Sequence, residues 1–423
     1  MTHALHHLLK AYTGTHLILR ISLGIALGAM LALACPHLSA LPLLGTLFVS
    51  ALKAVAPLLV AVLVTASVAS ASDGLGARFR TVILLYIAST LIAALVAVAA
   101  SQLFPVQVAL TGLGDSEPSA PGGMTEVMGT LLQTLVSNPL QAVCSASYLS
   151  VLFWSVVLGL ALKQTAAQVA VEAMHELAKA VSLVVQWIIQ LAPLGIMGLV
   201  YTSVSENGME IFANYGQLIL LLMACMLTVM LVVNPLITLC FLHRNPYPLL
   251  WKCIKGSAVS AFFTRSSAAN IPVNMALCKR LGLNEEFCSV SIPLGSTINM
   301  DGAAITITVM TLAACHTLGV EVSLSGAIVL SIMAALGACG TSGVAGGSLL
   351  LIPMVCAPFG IGTDLAMQVV GTGFIIGVIQ DSMETALNSS SDVLFTATAD
   401  LHDRMKRQQK QTTALHEQEE THA

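Results

Sequence analysis

Charged residues are scarce in this 423-residue sequence: Asp, Glu, Lys and Arg make up 9% of it, whereas hydrophobic residues make up 56%. A soluble domain carries about 25% charged residues. Nine of the charges lie at or after Asp400, so the preceding chain is poorer still. This composition excludes an ordinary soluble enzyme, a disordered chain and a nucleic-acid binder, which would need a basic stripe. We therefore expect lipid to be the main solvent.

The usual motifs of metal and nucleophilic chemistry are also missing. The ten cysteines are scattered and include no CxxC pair, so neither a disulfide framework nor a zinc site is predicted. No HExxH motif occurs, and Ser266 and Ser267 have no nearby His/Asp arrangement, which leaves nucleophilic catalysis without support. We therefore expect neither an enzyme nor an organic cofactor.

Long charge-free runs provide the material for membrane-spanning helices. A spanning helix needs about 20 apolar residues, and six of the eight runs exceed that length while the other two nearly reach it. The runs are 21–52, 54–72, 81–114, 127–162, 180–205, 211–243, 302–320 and 322–363. Aromatic residues are only 5% of the chain, and small residues are abundant, as in helices that approach closely in a bilayer. The pattern predicts a polytopic all-α integral membrane protein.

Basic residues mark one side of this predicted protein. Short loops rich in Lys and Arg stay in the cytoplasm. Basic residues occur before the first run, in the loop DGLGARFR, around 244–255 and in the tail, whereas 105–145 and 204–213 carry acids but neither Lys nor Arg. We therefore expect both termini to be cytoplasmic.

Two apolar segments of the C-terminal half are interrupted by polar, Gly-rich or Ser-rich clusters. RSSAAN (265–270) lies between basic residues at 255 and 279, which leaves about 23 residues where two crossings need roughly 40. We therefore expect a re-entrant hairpin with serines at its tip. CGTSGVAGGS (339–348) interrupts the run 322–363 and predicts a second hairpin of opposite polarity. Paired interruptions of this kind point to the binding site of a transporter.

The last apolar run ends in QDSMETALNSSSD (380–392), which places acids within a predicted spanning helix. At 100° per residue, five polar side chains of this segment share a stripe about 100° wide. They are Asp381, Glu384, Thr385, Asn388 and Asp392. A charged side chain in lipid costs roughly 2.5–3.5 kcal/mol, so the stripe must face protein or a polar cavity. A hydrogen-bonding seam between helices is the alternative, although such seams use Ser and Thr rather than several acids.

A further polar cluster, STINMDG (296–302), adds Asn299 and Asp301 in another charge-free setting. Gly302 permits an unwound turn, whose carbonyls would join the Asp and Asn oxygens as ligands for a hard monovalent cation. A kink satisfied by neighbouring groups is the alternative. On the third span, Tyr86, Ser89 and Thr90 stand on one helix face, and by themselves they indicate helix packing rather than a site.

Four motifs, in order, resemble those of the dicarboxylate/amino acid:cation symporter family: RSSAAN, INMDG, GTSGVAGG and QDSMETALNSSSD. The resemblance covers essentially the whole chain, with its specific motifs concentrated in 256–392. It implies eight transmembrane helices and two re-entrant helical hairpins in a homotrimer. It also implies an elevator motion, in which a transport domain slides against a trimeric scaffold.

The resemblance also implies where the domains begin and end. We expect a cytoplasmic N-terminus at 1–16, scaffold and trimerisation helices at 17–80 and 127–205, transport-domain helices at 81–104 and 211–243, a core transport domain at 256–395, and a cytoplasmic tail at 396–423.

By motif position, the same resemblance implies a substrate site. Asp381 would receive the α-amino group of an amino acid. Asn388 would bind the α-carboxylate together with Ser266 and Ser267 of the first hairpin, and Thr385 would also contact the substrate.

Sodium ions, as co-transported cargo, are implied at three places. The first site would be formed by Asn299 and Asp392 with carbonyls near Gly295. The second would be formed by Thr297, Met300 and the backbone from Ala338 to Thr341. The third would be formed by Tyr86, Ser89, Thr90, Asn299 and Asp301.

Two departures from the family pattern bear on the substrate. Members that carry acidic substrates have an Arg where this chain has Glu384, and a Thr where it has Ala303. An Arg would bind a side-chain carboxylate bidentately, whereas a Glu 4 Å away would repel it by about 4 kcal/mol at an effective dielectric constant of 20. Glu384 could instead accept a hydrogen bond from a hydroxyl.

The sequence therefore predicts a sodium-coupled symporter that imports serine and threonine across a bacterial inner membrane. Another neutral amino acid, or a dicarboxylate, is the alternative within the family, and polar hairpin tips could also form a channel-like pore. The expected partners are the amino-acid substrate, the lipid bilayer and further copies of the chain, but not nucleic acid.

Overall fold

The computed structural model describes residues 17–35, 38, 40–70, 76–110, 136–145, 147–165, 168–209, 211–339, 341 and 346–422. Those residues form helices and connecting turns, with no strand among them. The predicted N-terminal segment 1–16 and most of the predicted external segment 105–145 lie outside the described residues.

The described residues before 210 form seven α-helices. They are α1 (Leu17–Ala34), α2 (Ala40–Ser70), α3 (Gly76–Leu103), α4 (Pro139–Cys144), α5 (Tyr148–Gln164), α6 (Gln168–Gln190) and α7 (Ala192–Asn207).

Ten α-helices follow in the described part of the chain after residue 210. They are α8 (Ile211–Thr228), α9 (Asn234–Leu242), α10 (Tyr247–Cys253), α11 (Val259–Thr264), α12 (Ser267–Arg280), α13 (Glu285–Ile298), α14 (Asp301–Thr317), α15 (Leu324–Ala338), α16 (Ile352–Cys356) and α17 (Thr363–His422). Short π-helical turns join α8 to α9 and α10 to α11, and 3₁₀ turns flank α16.

Five helical segments of the described chain are long and apolar enough to cross a membrane: 40–70, 78–103, 211–242, 285–317 and 363–409. A sixth is obtained if α6 and α7, which meet at a 53° bend, count as one span. Shorter apolar helices lie at 19–34, 153–164, 324–338 and 348–359. These lengths agree with a polytopic helical membrane protein, and the predicted number of eight spans stays a prediction.

Glycines bring α1 and α7 into close backbone contact. A Cβ atom added to Gly24 would lie 2.4 Å from the carbonyl oxygen of Pro193, and one added to Gly28 would lie 2.5 Å from that of Met197. The spacing of the two glycines is the GxxxG pattern that lets helices pack without a hydrophobic driving force from water. Helix α2 packs beside this pair, against α5, α6 and α7.

Helix α14 is the centre of the second half of the chain. Every residue from Asp301 to Cys315 is buried, because α3, α15 and α17 all pack against this helix. An element surrounded in this way can carry polar groups only if its neighbours supply partners for them.

The chain folds back on itself between α11 and α12. Arg265 adopts a left-handed conformation with φ of 52°, and Ser266 then begins α12 by accepting a hydrogen bond from the Ala269 amide at 3.2 Å. The Ser257 hydroxyl donates to Asn274 Oδ1 at 2.6 Å. Because Ser257 and Asn274 lie equally far from the break, the two arms run antiparallel, and RSSAAN begins at their tip.

A second fold-back joins α15 to the segment 346–359. Gly337 lies against Met354, since a Cβ atom on the glycine would come within 2.6 Å of the methionine Cε. These two residues lie on opposite sides of the GTSGVAGG motif, so the chain folds back between them as well. The first fold-back packs on α17, whereas the second packs on α14.

Helix α17 runs unbroken for 60 residues. Its buried part continues past residue 395 to Asp400, which is fully buried. The Asp400 carboxylate pairs with Arg78 Nη1 at 3.0 Å and with Arg404 Nη2 at 2.6 Å. With these ion pairs, the helix stays packed for about one more turn beyond residue 396, and the predicted boundary between core and tail there stays a prediction.

We predict that Gly28→Leu lowers the thermal stability of the purified protein, because the new side chain would force α1 away from the α7 backbone. Overpacking of this kind costs about 1–3 kcal/mol. The control is Gly216→Ala on α8, where an added Cβ meets nothing within 4 Å and the substitution should stabilise the helix slightly. Equal melting temperatures for the two variants would contradict the close approach of α1 and α7.

Candidate functional site

The site is built around a break in the helical path between α13 and α14. Asn299 and Met300 leave the helical conformation, with φ and ψ of −101° and 75° and of −116° and 57° respectively. The INMDG motif supplies this break, which frees backbone groups at the ends of two helices. Gly302 lets α17 approach closely, since a Cβ atom there would lie 2.8 Å from Glu384 Cα.

The Asp301 carboxylate is fully buried among neutral donors. Oδ1 accepts hydrogen bonds from Ser89 Oγ at 2.9 Å and from Thr90 Oγ1 at 3.1 Å. Oδ2 accepts a bond from Asn234 Nδ2 at 2.9 Å. The predicted polar face of α3 therefore points at the helix break, rather than serving only helix packing.

Asn299 connects the two buried acids of this region. Its Nδ2 donates to Asp392 Oδ1 at 2.9 Å and to Ser391 Oγ at 2.8 Å. Its Oδ1 accepts from Ser89, the same hydroxyl that contacts Asp301. Asp392 Oδ2 is buried and has no hydrogen-bond partner among the described residues.

Tyr86 and Gly295 complete the wall beside Asp392. The Tyr86 hydroxyl lies 2.9 Å from Thr396 Oγ1, and 3.2 Å and 3.3 Å from the carbonyl oxygens of Ser291 and Asp392. A Cβ atom on Gly295 would lie 2.6 Å from Asp392 Oδ1. Only a glycine leaves room for the carboxylate at this position.

The residues of the second predicted sodium site are less closely joined. Thr297 and Thr341 direct their hydroxyls to backbone carbonyls three residues earlier, those of Leu294 and Ala338. Cys339 Sγ lies 3.4 Å from the Ile298 carbonyl oxygen, which brings the start of the second fold-back to the helix break. Most of the GTSGVAGG tip, residues 342–345, lies outside the described residues.

The Asp381 carboxylate is held by both fold-backs. Oδ2 accepts a charge-assisted bond from Arg265 Nε at 2.7 Å, and the side chains of this pair are only 10% and 4% exposed. Oδ1 accepts from the Gly346 amide at 3.1 Å. Arg265 Nη1 is buried with no partner among the described residues.

Glu384 accepts three hydrogen bonds on a single oxygen. Oε2 accepts hydrogen bonds from Thr306 Oγ1 at 2.7 Å, from Ser348 Oγ at 2.9 Å and from Gln380 Nε2 at 2.5 Å. The Glu384 side chain is buried beside Gly302 of α14.

Asn388 ties the α17 stripe to the helix break. Its Oδ1 accepts from the Gly302 amide at 2.7 Å, and its Nδ2 lies 3.4 Å from Met300 Sδ. Thr385 instead returns its hydroxyl to the Asp381 carbonyl of its own helix, at 2.8 Å. Ser266 and Ser267 follow directly after Arg265, which pairs with Asp381 of the stripe.

The sequence reasoning missed four residues that hold the stripe acids: Arg265, Thr306, Ser348 and Gln380. A signal existed for Arg265, because it is the only basic residue between Lys255 and Lys279. It also stands in a motif that was singled out for its serines. The other three residues are neutral and come from three different elements. Gln380 and Ser348 stand in the quoted motifs, and Gln380 lies four residues before Glu384 on the same helix, whereas nothing local marked Thr306.

The electrostatic character of the site follows from these contacts. Within the described residues, Asp301, Asp392 and Glu384 have no cationic side chain within 4 Å, whereas Asp381 has Arg265. Charges away from water are retained only when they are paired or bind metal ions. Carboxylate, amide, hydroxyl and backbone oxygens around Asp301 and Asp392 form a ligand set that fits an alkali cation.

Comparisons with known proteins agree with this chemistry. The chain is 52% identical to the serine/threonine transporter SstT of Bifidobacterium adolescentis over 395 residues, which are 93% of this chain and 92% of that protein. It is 51% identical to the serine/threonine transporter SstT of Streptococcus thermophilus and 53% identical to that of Streptococcus agalactiae, in each case over 93% of this chain and 97% of the relative.

A family model covers nearly the whole described chain. The model of the sodium:dicarboxylate symporter family matches residues 17–401, which include the helix break, both fold-backs and the complete α17 stripe. The expectation of a membrane transporter rather than an enzyme is thereby confirmed. The chain belongs to the sodium:dicarboxylate symporter family.

Proposed function

We propose that this protein is a sodium-coupled symporter that imports serine and threonine. The observation that carries the proposal is the pair of buried acids, Asp301 at the helix break and Asp392 of the α17 stripe, which lack a cationic partner among the described residues. The relatives are named serine/threonine transporters, and the family name supports sodium as the coupling ion.

Sodium suits the acids because it supplies the missing charge. Asp392 Oδ2 is buried and unpartnered among the described residues, while the Asn299 amide donates to Oδ1 of the same carboxylate and Gly295 lies close to that atom. On the other side of Asn299, Asp301 is reached by Ser89, Thr90 and Asn234. We assign cations to both places. Tyr86, which the family resemblance implies for the Asp301 place, has its hydroxyl 3.3 Å from the Asp392 carbonyl oxygen. The set with Thr297, Met300, Ala338 and Thr341 remains a third proposal.

The proposed substrate class rests on Asp381 and Glu384, the two acids in contact with the fold-backs. Asp381 would bind the α-amino group, and Asn388, with Ser266 and Ser267, the α-carboxylate. Glu384 would accept a hydrogen bond from the substrate hydroxyl, and Thr385 would line the same space. Since Glu384 repels a side-chain carboxylate, it favours serine and threonine over aspartate.

Asp381 must exchange a partner when the amino group binds. Its carboxylate is occupied by Arg265 of the first fold-back and by the Gly346 amide of the second. An ammonium group that takes one of these places changes the contact between α17 and a fold-back. Substrate binding is thereby coupled to fold-back position, because the ligand has a different affinity for the two arrangements.

We propose the domain movement and the assembly of the protein from its membership of the family. The transport domain would comprise α3, α8 to α17 and both fold-backs, as re-entrant hairpins, and it would slide as an elevator against a scaffold of α1, α2 and α5 to α7. The protomers would form a homotrimer in the inner membrane with cytoplasmic termini. Each sodium ion moving inward would contribute roughly 2.3 kcal/mol per 100 mV of membrane potential.

The basic test is uptake of labelled serine into proteoliposomes of the purified protein. We expect accumulation above the external concentration only under an inward sodium gradient, with competition by unlabelled threonine. A potassium gradient of equal size is the control. Entry that never exceeds equilibration would indicate a pore, and accumulation with a proton gradient alone would identify a different coupling ion.

We predict that Asp392→Asn raises the sodium concentration for half-maximal serine uptake by about tenfold or more, since the charge of the ligand set governs cation affinity. The matched control is Asp403→Asn, whose carboxylate pairs with Arg78 and Arg407 outside the site. An unchanged sodium dependence in folded Asp392→Asn would remove this acid from the cation site.

We predict that Glu384→Arg shifts selectivity toward acidic substrates, because a guanidinium would bind a side-chain carboxylate bidentately. The measurement is competition of aspartate against labelled serine. If aspartate still fails to compete while serine binds as before, Glu384 lies outside the side-chain subsite.

A further inference from the structure

The three donors to Glu384 come from three separate parts of the fold. Gln380 lies one turn earlier on α17, Thr306 lies on α14, and Ser348 begins the helical arm that follows the tip of the second fold-back. All three side chains are buried, with relative exposures of 1%, 0% and 1%. Each of these three donors is therefore shielded from solvent, and water could not replace it at little cost.

The donors also fix one another. Gln380 Nε2 contacts Glu384 Oε2 and lies 2.7 Å from Thr306 Oγ1. Thr306 in turn donates to the same Oε2 atom at 2.7 Å. A carboxylate side chain has a broad terminal torsion, and three converging donors leave it one orientation. None of these three bonds reaches Oε1.

We propose that Gln380, Thr306 and Ser348 are positioning residues that hold the Glu384 carboxylate by Oε2 and so present Oε1 to the substrate side chain. On this view the clamp, and not the presence of an acid alone, sets the preference for amino acids that carry a hydroxyl over alanine. This inference rests on the proposed role of Glu384 in the side-chain subsite.

The contrast with a purely structural role is measurable. A seam that only joins α14 to α17 would, when weakened, lower stability and transport equally for every substrate. A clamp that orients an acceptor affects serine and threonine, which donate a hydroxyl to it, but not alanine, which has none. The ratio of the inhibition constants of serine and alanine therefore reports whether the Glu384 carboxylate is held in position.

The test is a set of single variants measured by competition of unlabelled serine and alanine against labelled serine uptake in proteoliposomes. We expect Thr306→Val, Ser348→Ala and Gln380→Met each to raise the inhibition constant of serine about tenfold, a loss typical of one well-placed hydrogen bond. The inhibition constant of alanine should change by less than about twofold. Thr306→Ser keeps the donor and should restore the serine preference.

The matched control is Thr308→Val, two residues along α14. Thr308 is equally buried, and its hydroxyl has no hydrogen-bond partner among the described residues. Its replacement should leave both constants unchanged, because valine has nearly the same shape and no donor is lost. If Thr308→Val moves the serine-to-alanine ratio as Thr306→Val does, the effect is not positional and the clamp is refuted.

Glu384→Met, which removes both acceptor oxygens, separates this inference from the proposed function. If Glu384→Met leaves the serine-to-alanine ratio unchanged, Glu384 is not in the side-chain subsite, and both proposals fail. If that variant abolishes the preference while the three clamp variants retain it, the subsite stands and the clamp alone fails. Thermal unfolding of each purified variant identifies any that do not fold, in which case Thr306→Ser against Thr306→Val decides the outcome.

Discussion

The cost of burying carboxylates decides how this protein is built. Asp301, Asp381, Glu384 and Asp392 lie in the interior of a chain whose outer solvent is lipid. Each acid must be matched by donors or cations, since a lone buried charge is expensive. The donors cannot all come from one helix, because a helix satisfies its own backbone and presents only one face. Helices α3, α9, α13, α14 and both fold-backs are therefore drawn together around α17.

Interrupted helices make that convergence feasible. The break at Asn299 and Met300 exposes backbone groups in the centre of the protein, while the fold-backs bring Arg265 and the Gly346 amide to the same region. An unbroken bundle would present only side chains at this depth. Irregular backbone is tolerated here because protein surrounds it on every side, as the burial of α14 shows.

The sequence predicted the acids better than their partners. The stripe on α17 and the break at INMDG follow from local periodicity and composition, which act over a few residues. Arg265 and Ser348 were not foreseen, because tertiary packing chooses these partners over 116 residues in Arg265–Asp381 and 36 residues in Ser348–Glu384. Gln380 lies only four residues before Glu384 on the same helix and was missed although the partner is local. The polar face of α3 was ambiguous by itself, and only its contacts with Asp301 distinguish it from ordinary packing.

The unbroken course of α17 has a mechanical consequence. Asp381, Glu384, Asn388 and Asp392 stand within about 17 Å of one another on a single rod, at 1.5 Å per residue. The same rod continues to Asp400, where ion pairs to Arg78 anchor its end. A rigid rod cannot carry one of these side chains across a barrier and leave another behind. Cargo and driving ions would therefore cross together, and slippage, in which ions leak through without cargo, would require the helix itself to bend.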